Sequence, residues 1–289
     1  MEAQRSGEDG RIPADWLYSR KMRWLIFLGL AMVASFALLW AWQTVAALVE
    51  GRFEYLWFYL PAFLSMAAVS VPGLEVIRSR MRTRARVGSC ELRPEGTAIT
   101  ANRLHALLLR SYLLLGTVAC LAFSVGMFTG VYTFPMTASQ ESLFPFLVGA
   151  LGVCCGGYVV LLATGRLRNP LIVCTPTELR VRRGIETQSI EWDRIAGLEA
   201  TSLREYQRNS AIRISPANPD ALTIDRHYRG PFSGVLKSPP AIVAKADQFE
   251  VGAVPLYWFL RYYLEHPDDR RELADGRAVG RLLRGELVS

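Results

Sequence analysis

The sequence predicts a membrane all-α bundle of four transmembrane helices joined to a cytoplasmic, β-rich C-terminal domain. Three observations predict it. Long apolar blocks fill the chain as far as Gly165, arginine gathers on alternate connectors between those blocks, and from about Asn169 the pattern changes to short alternating runs separated by turn residues.

Crossing about 30 Å of hydrocarbon takes about 20 helical residues. Trp24 to Val49 supplies a run without charge, after a polar N-terminal tail from Met1 to Arg23. It is longer than the apolar core of a signal peptide, so it is expected to stay as an anchor. Tyr55 to Val71 supplies a second span, short, with Pro61 inside and Pro72 at its end. A re-entrant hairpin is the alternative there, because proline frees a carbonyl that only bundle neighbours can satisfy. Ala106 to Val131 and Phe144 to Gly165 supply the third and fourth. No Asp, Glu, Lys, Arg or His lies near the middle of any span, which counts against proton-coupled transport.

Arginine and lysine set the orientation. Arg20, Lys21 and Arg23 precede the first span, seven arginines lie between Arg78 and Arg103, and Arg166 and Arg168 follow the fourth. The segment Glu50 to Glu54 has a single arginine, and Tyr132 to Leu143 has neither arginine nor lysine. Both termini are therefore expected in the cytoplasm of a multi-pass cell-membrane protein. Trp40, Trp42, Tyr55, Trp57 and Tyr59 fall where the outer interface would be.

Gly126 and Gly130, and Gly152 and Gly156, form two G-x-x-x-G motifs, which let helix backbones approach closely. Packing within the chain is the first reading; contact in a homo-oligomer is the second. Arg78, Arg80, Arg82, Arg84 and Arg86 recur at every second residue. They serve topology, and they are also candidates for contact with anionic lipid. Beyond them, Cys90 to Arg93 is expected to pair with Thr97 to Thr100 in a hairpin across Pro94-Glu95-Gly96. The net charge of +7 sits mainly beside apolar blocks, so nucleic acid is not an expected partner.

In the C-terminal region, short strands are expected at Leu171–Cys174, Glu178–Arg182, Thr187–Trp192, Gly197–Thr201, Ala211–Ile214, Ala221–Ile224 and Ala241–Ala244. A helix follows Pro255, with Leu256, Phe259, Leu260, Tyr263 and Leu264 in one stripe, and it ends at His266-Pro267. A second, polar helix is expected from Asp268 to Arg284 in the tail.

Seven strands and a capping helix follow the pleckstrin-homology (PH) order. The stretch Thr175-Pro176-Thr177-Glu178-Leu179-Arg180-Val181-Arg182-Arg183-Gly184, with Ile190-Glu191-Trp192-Asp193-Arg194-Ile195, resembles bacterial PH-like domains attached to membrane spans. The ending His266-Pro267-Asp268-Asp269-Arg270-Arg271-Glu272-Leu273 resembles actinobacterial membrane proteins of that type. The resemblance covers about Leu171 to His266 and implies a fold core with Trp192 and Ile195 buried; it implies no catalytic residue. The loop Arg226 to Pro240 departs from it.

No catalytic, cofactor or metal motif is legible. His105, His227 and His266 lack a second ligand at metal spacing, and there is no P-loop, G-x-G-x-x-G or H-E-x-x-H. The five cysteines form no C-x-x-C pair and suit apolar packing. The Asp268-Asp269 pair suits a helix N-terminus. The candidate face for an anionic ligand or partner is basic: Arg180, Arg182 and Arg183 on one strand, and Arg226, His227, Arg229 and Lys237 in the longest loop. A solvated surface is the plainer account of the same residues. The expected function is a non-enzymatic scaffold that binds a protein partner or anionic lipid at the bilayer. A transporter or pore component regulated by the domain, and a membrane enzyme with an unrecognised site, are the alternatives.

Overall fold

The computed structural model describes residues 16, 20–81, 85, 89–134, 137–203, 209–227 and 240–287. The chain forms two compact units. One is Ser19–Leu74 with Leu104–Gly165; the other gathers Met1–Tyr18, Glu75–Arg103 and Arg166–Ser289.

The first unit is helical. Its helices are α1 (Arg20–Val49), α2 (Leu56–Met81), α3 (Arg103–Phe128) and α4 (Ala138–Ala163). Three of these, over Phe27–Val49, Arg103–Phe128 and Ser139–Ala163, are long and apolar enough to cross a membrane. Helix α2 is continuous, so its backbone makes no re-entrant turn, and it runs on past Pro72 to Met81. Proline removes one intrahelical donor without ending the helix when neighbouring turns hold it. Arg78 and Arg80 therefore sit on a helix and not on an extended strand; Arg82, Arg84 and Arg86 lie outside the described residues.

Small residues mediate the helix contacts. A Cβ at Gly152 would lie 3.0 Å from the Cys120 Cβ, and one at Gly156 would lie 3.2 Å from the Thr117 Cγ2. One at Gly149 would lie 2.7 Å from the Ser124 Oγ. This glycine line on α4 thus lets α3 approach closely. The other motif differs. A Cβ at Gly126 would meet the Tyr132 ring at 2.2 Å, and Gly130 has nothing within 4 Å but adopts φ +72° just past the end of α3. Gly126 makes room for a loop aromatic and Gly130 ends a helix. The Tyr132 hydroxyl donates to the Glu54 carbonyl at 2.9 Å, and its ring lies 4.9 Å from that of Tyr55.

The second unit is built on two antiparallel sheets. The larger has the order β1 (Cys90–Arg93), β2 (Gly96–Thr100), β3 (Arg168–Cys174), β4 (Glu178–Gly184), β5 (Glu186–Glu191), β8 (Thr223–Arg226). The smaller has β6 (Ile195–Leu203), β7 (Asn209–Pro216) and β9 (Ile242–Lys245), in that order. A hairpin forms at the expected place, but its turn is Pro94-Glu95 alone and Gly96 belongs to β2, with Cys90 opposite Ile99 and Arg93 opposite Gly96. It does not stand alone, because β2 pairs along β3, with Ile99 opposite Ile172 and Thr97 opposite Cys174. Gly96 is required at this junction: its φ is +140°, and a Cβ would lie 2.4 Å from the Cys174 carbonyl oxygen.

The β8 strand starts two residues later than the alternation suggested. Pro219–Ala221 instead makes a short 3-10 turn, where proline's fixed φ suits the bend and its missing donor suits no ladder.

Alternation fills the core. Ile99, Ile172, Leu179, Val181, Ile212 and Ile214 are wholly buried, and Trp192 is nearly so. The Trp192 indole donates to the Thr175 carbonyl at 2.8 Å. Helix α5 (Ala253–Glu265) lays Leu256, Phe259, Leu260 and Tyr263 into the same core. The tail is not the single helix expected from Asp268 to Arg284. It is a 3-10 turn over Pro267–Arg271, a short α6 (Glu272–Asp275) and α7 (Arg277–Arg284), broken at Gly276 with φ +85°. A left-handed glycine ends a helix and redirects the chain.

Charged groups pin the tail to α5. The Glu272 carboxylate accepts two hydrogen bonds from Arg281, at 2.9 and 2.8 Å, and one from the Tyr263 hydroxyl at 3.1 Å. The Arg281 guanidinium holds the Glu272 carboxyl below the usual carboxylate range. Asp269 accepts from the Tyr262 hydroxyl, so this acid is a structural acceptor. Burial first, and that bond second, push the Tyr262 phenol up to about 12. Arg270 bridges to Asp193 at 2.6 Å and lies over the Trp192 ring.

Candidate functional site

Strand periodicity positions the basic face. On β4, Leu179 and Val181 point into the core, so Arg180 and Arg182 share the opposite face. Register places Arg182 opposite Leu171 on β3 and Thr187 on β5, and Arg180 opposite Val173 and Ser189. Ala98, Leu171 and Val173 form a small buried apolar cluster of their own beside these arginines.

The predicted residues divide into neutralised and unneutralised groups. Arg180 donates to Glu178 through Nε at 2.8 Å and also through Nη2, and its Nη1 lies 3.5 Å from Glu95. Arg226 lies 3.8 Å from the Glu186 carboxylate. His227 shares a 2.6 Å hydrogen bond with the Thr187 hydroxyl and sits 3.6 Å from Asp225. Arg229 and Lys237 lie outside the described residues. Among the described residues Arg182 donates to the Asn169 carbonyl, at 3.2 Å. Among the described residues no carboxylate pairs with Arg168, Arg182 or Arg183.

Electrostatics point to the same place. Burial first, then the charges of Arg168 and Arg93, lower the Arg182 guanidinium from its ordinary value. Arg93 lies 3.6 Å from the Glu91 carboxylate, so Arg168 on β3 and Arg182 on β4 are the two charges here that lack a carboxylate among the described residues, and they favour an anion beside them. Arg93 and Arg168 were not singled out from sequence. Arg168 follows the last apolar block and reads there as a topological charge; only the β3–β4 register brings it toward Arg182. Arg93 is brought in by the pairing of β2 with β3, which no local pattern announces.

Cys90 and Cys174 are buried in the core, and burial pushes the Cys90 thiol up to about 12 and raises Cys174 as well. Both are protonated, unreactive thiols at neutral pH. Among the described residues no three His, Cys, Asp or Glu side chains gather as a metal site. No family model, curated protein or solved structure matches the chain.

Proposed function

We propose that the chain is a four-span membrane protein with both ends in the cytoplasm, whose PH-like module holds an anionic headgroup at the inner leaflet through Arg168 and Arg182. It acts there as a non-enzymatic scaffold of the cell membrane.

The observation that carries the reading is the make-up of the β-rich unit. It draws on three stretches of chain: the one before α1, the one between α2 and α3, and the one after α4. Segments that fold together in water share one side of a bilayer. The chain must then cross an even number of times between Trp16 and Cys90, and again between Thr100 and Arg168. Helices α3 and α4 make one such pair, each long enough to cross. If α1 crosses, α2 is the remaining helix that can return, and its 26 residues suffice. The arginines that flank these helices favour the cytoplasmic side. For the module, seven strands β3 to β9 and then α5 follow the PH order, with the hairpin β1–β2 added at the edge of β3.

Each arginine near an anionic surface contributes about 1 kcal/mol, screened by salt. Native mass spectrometry of the whole chain in detergent, with phosphatidylglycerol or phosphatidylcholine added, tests the site. Preferential phosphatidylglycerol adducts, reduced about ten-fold in R168E/R182E, are expected. Equal adducts of both lipids, or no effect of the charge reversal, would remove the lipid reading and favour a protein ligand on that face. Tags after Gly51 and after Ser139 are expected to be reachable from outside intact cells, and one at Ser289 only after permeabilisation.

A further inference from the structure

One core residue comes from far outside the sheets. Trp16 is only 5% exposed and belongs to the same apolar core as Trp192 and Phe259. Its indole N–H donates to the Thr201 carbonyl at 3.0 Å. Its ring meets Tyr257 of α5 edge-on, with centroids 5.8 Å apart and an interplanar angle of 74°. A tryptophan is a large apolar body with one donor, and it is stable in a buried notch only where that donor finds an acceptor.

The acceptor is informative. The smaller sheet runs β6-β7-β9, so β6 is an edge strand, and among the described residues no strand pairs with its outer side. Thr201 lies on β6, opposite Ala211 of β7. Helix α5 packs over β6 and β7 and supplies Tyr257. An edge strand beside a helix offers unpaired backbone groups and an apolar wall together, the combination that receives an extended segment with an aromatic anchor.

We propose that the notch where the outer edge of β6 meets α5 is a docking site for an aromatic side chain, and that its resident occupant is the chain's own Trp16, held in cis. The docking is reversible, and its release exposes the Thr201 carbonyl and the Tyr257 ring. Unlike the core residues of the strands, Trp16 is separated from its contacts by more than 180 positions, with its hydrogen bond spanning 185. Its binding is an intramolecular ligand equilibrium that a second copy of the same segment can enter.

The test uses the whole chain in detergent and a labelled peptide copying Ile12 to Arg20. The variant W16A is expected to bind this peptide at least ten-fold more tightly than the wild type, whose notch is taken. The same peptide with alanine in place of tryptophan is expected to bind neither. Excess peptide should also speed tryptic cleavage of the wild-type N-terminal segment at least five-fold, a readout that needs no variant and stands even if W16A does not fold. Equal peptide affinity for the two proteins, zero included, or unaltered cleavage of the wild type, would overturn the proposal. A dimer that W16A dissolves would place the occupant in a second copy and overturn the cis assignment.

Discussion

In the β-rich unit Ile99, Ile172, Leu179 and Ile212 are wholly buried, whereas in the helical unit Leu38, Trp42, Trp57 and Val153 are mostly exposed. Both units obey one rule, that apolar surface leaves water. The β-rich unit meets it by enclosing side chains between two sheets and a helix. The helical unit turns many large aliphatic and aromatic side chains outward and buries small residues, Ala47, Ala62, Ala119 and Gly152, together with one aromatic cluster of Tyr55, Tyr59 and Tyr132. That inversion is stable when the solvent is hydrocarbon, where helix association rests on close packing of small residues. The contrast teaches that apolar exposure signals a defect in one unit and an apolar solvent in the other.

The sharpest way to break this contrast is in the hairpin. Ile99→Ala should destabilise the β-rich unit by about 2–5 kcal/mol, as a truncation in the core does. Chemical denaturation of the purified chain would show it; a change near zero would mean that the hairpin is an appendage and no part of the core.

Next in size is the tail network. Glu272→Gln removes the charge facing Arg281 and should cost about 1.5–3 kcal/mol at neutral pH. Because the folded Glu272 carboxyl is held low, its stabilisation is present above the unfolded pKa of about 4.3 and disappears as pH falls through the lower folded value. Denaturation midpoints followed from pH 7 to pH 3 should converge between variant and parent. Parallel curves would show that another group carries the acid sensitivity.

In the helical unit, Gly126→Ala should cost about 1–3 kcal/mol by crowding the Tyr132 ring, and Tyr132→Ala on the same background should recover part of it. Thermal unfolding in detergent would measure both. If the second substitution recovers nothing, the glycine faces another helix. The smallest effect is expected at Leu38→Ala, within about 0.5 kcal/mol in the same assay, since an outward side chain leaves no cavity. A loss the size of that at Ile99 would mean Leu38 packs against protein.

Much of this was legible beforehand. Leu179 and Val181 alternate with Arg180 and Arg182 on one strand, so inside and outside follow from period alone. His266-Pro267 marked the end of α5, and the two short runs around Pro94 marked the hairpin, but its register did not follow, since Gly96 joins β2 opposite Arg93 and shifts the pairing by one residue. The tail was misjudged at Gly276, where the charged residues Asp275 and Arg277 flank a glycine that polar periodicity does not distinguish from a helical one. The candidate face was legible only in part. Arg180, Arg226 and His227 read as ligands in sequence, yet Glu178, Glu95, Glu186 and Thr187 occupy them, because cross-strand partners depend on register.

The amino-acid sequence by itself determined the apolar blocks, their flanking arginines and the strand faces, since these depend on composition and on a local period. The tertiary structure alone decided that β2 extends the sheet at β3, that Trp16 lodges against β6 and α5, and that Arg168 joins Arg182. Each of these unites positions tens to hundreds of residues apart, and hydrogen-bond ladders and buried surface are satisfied by whichever distant segment fits, which no local pattern encodes.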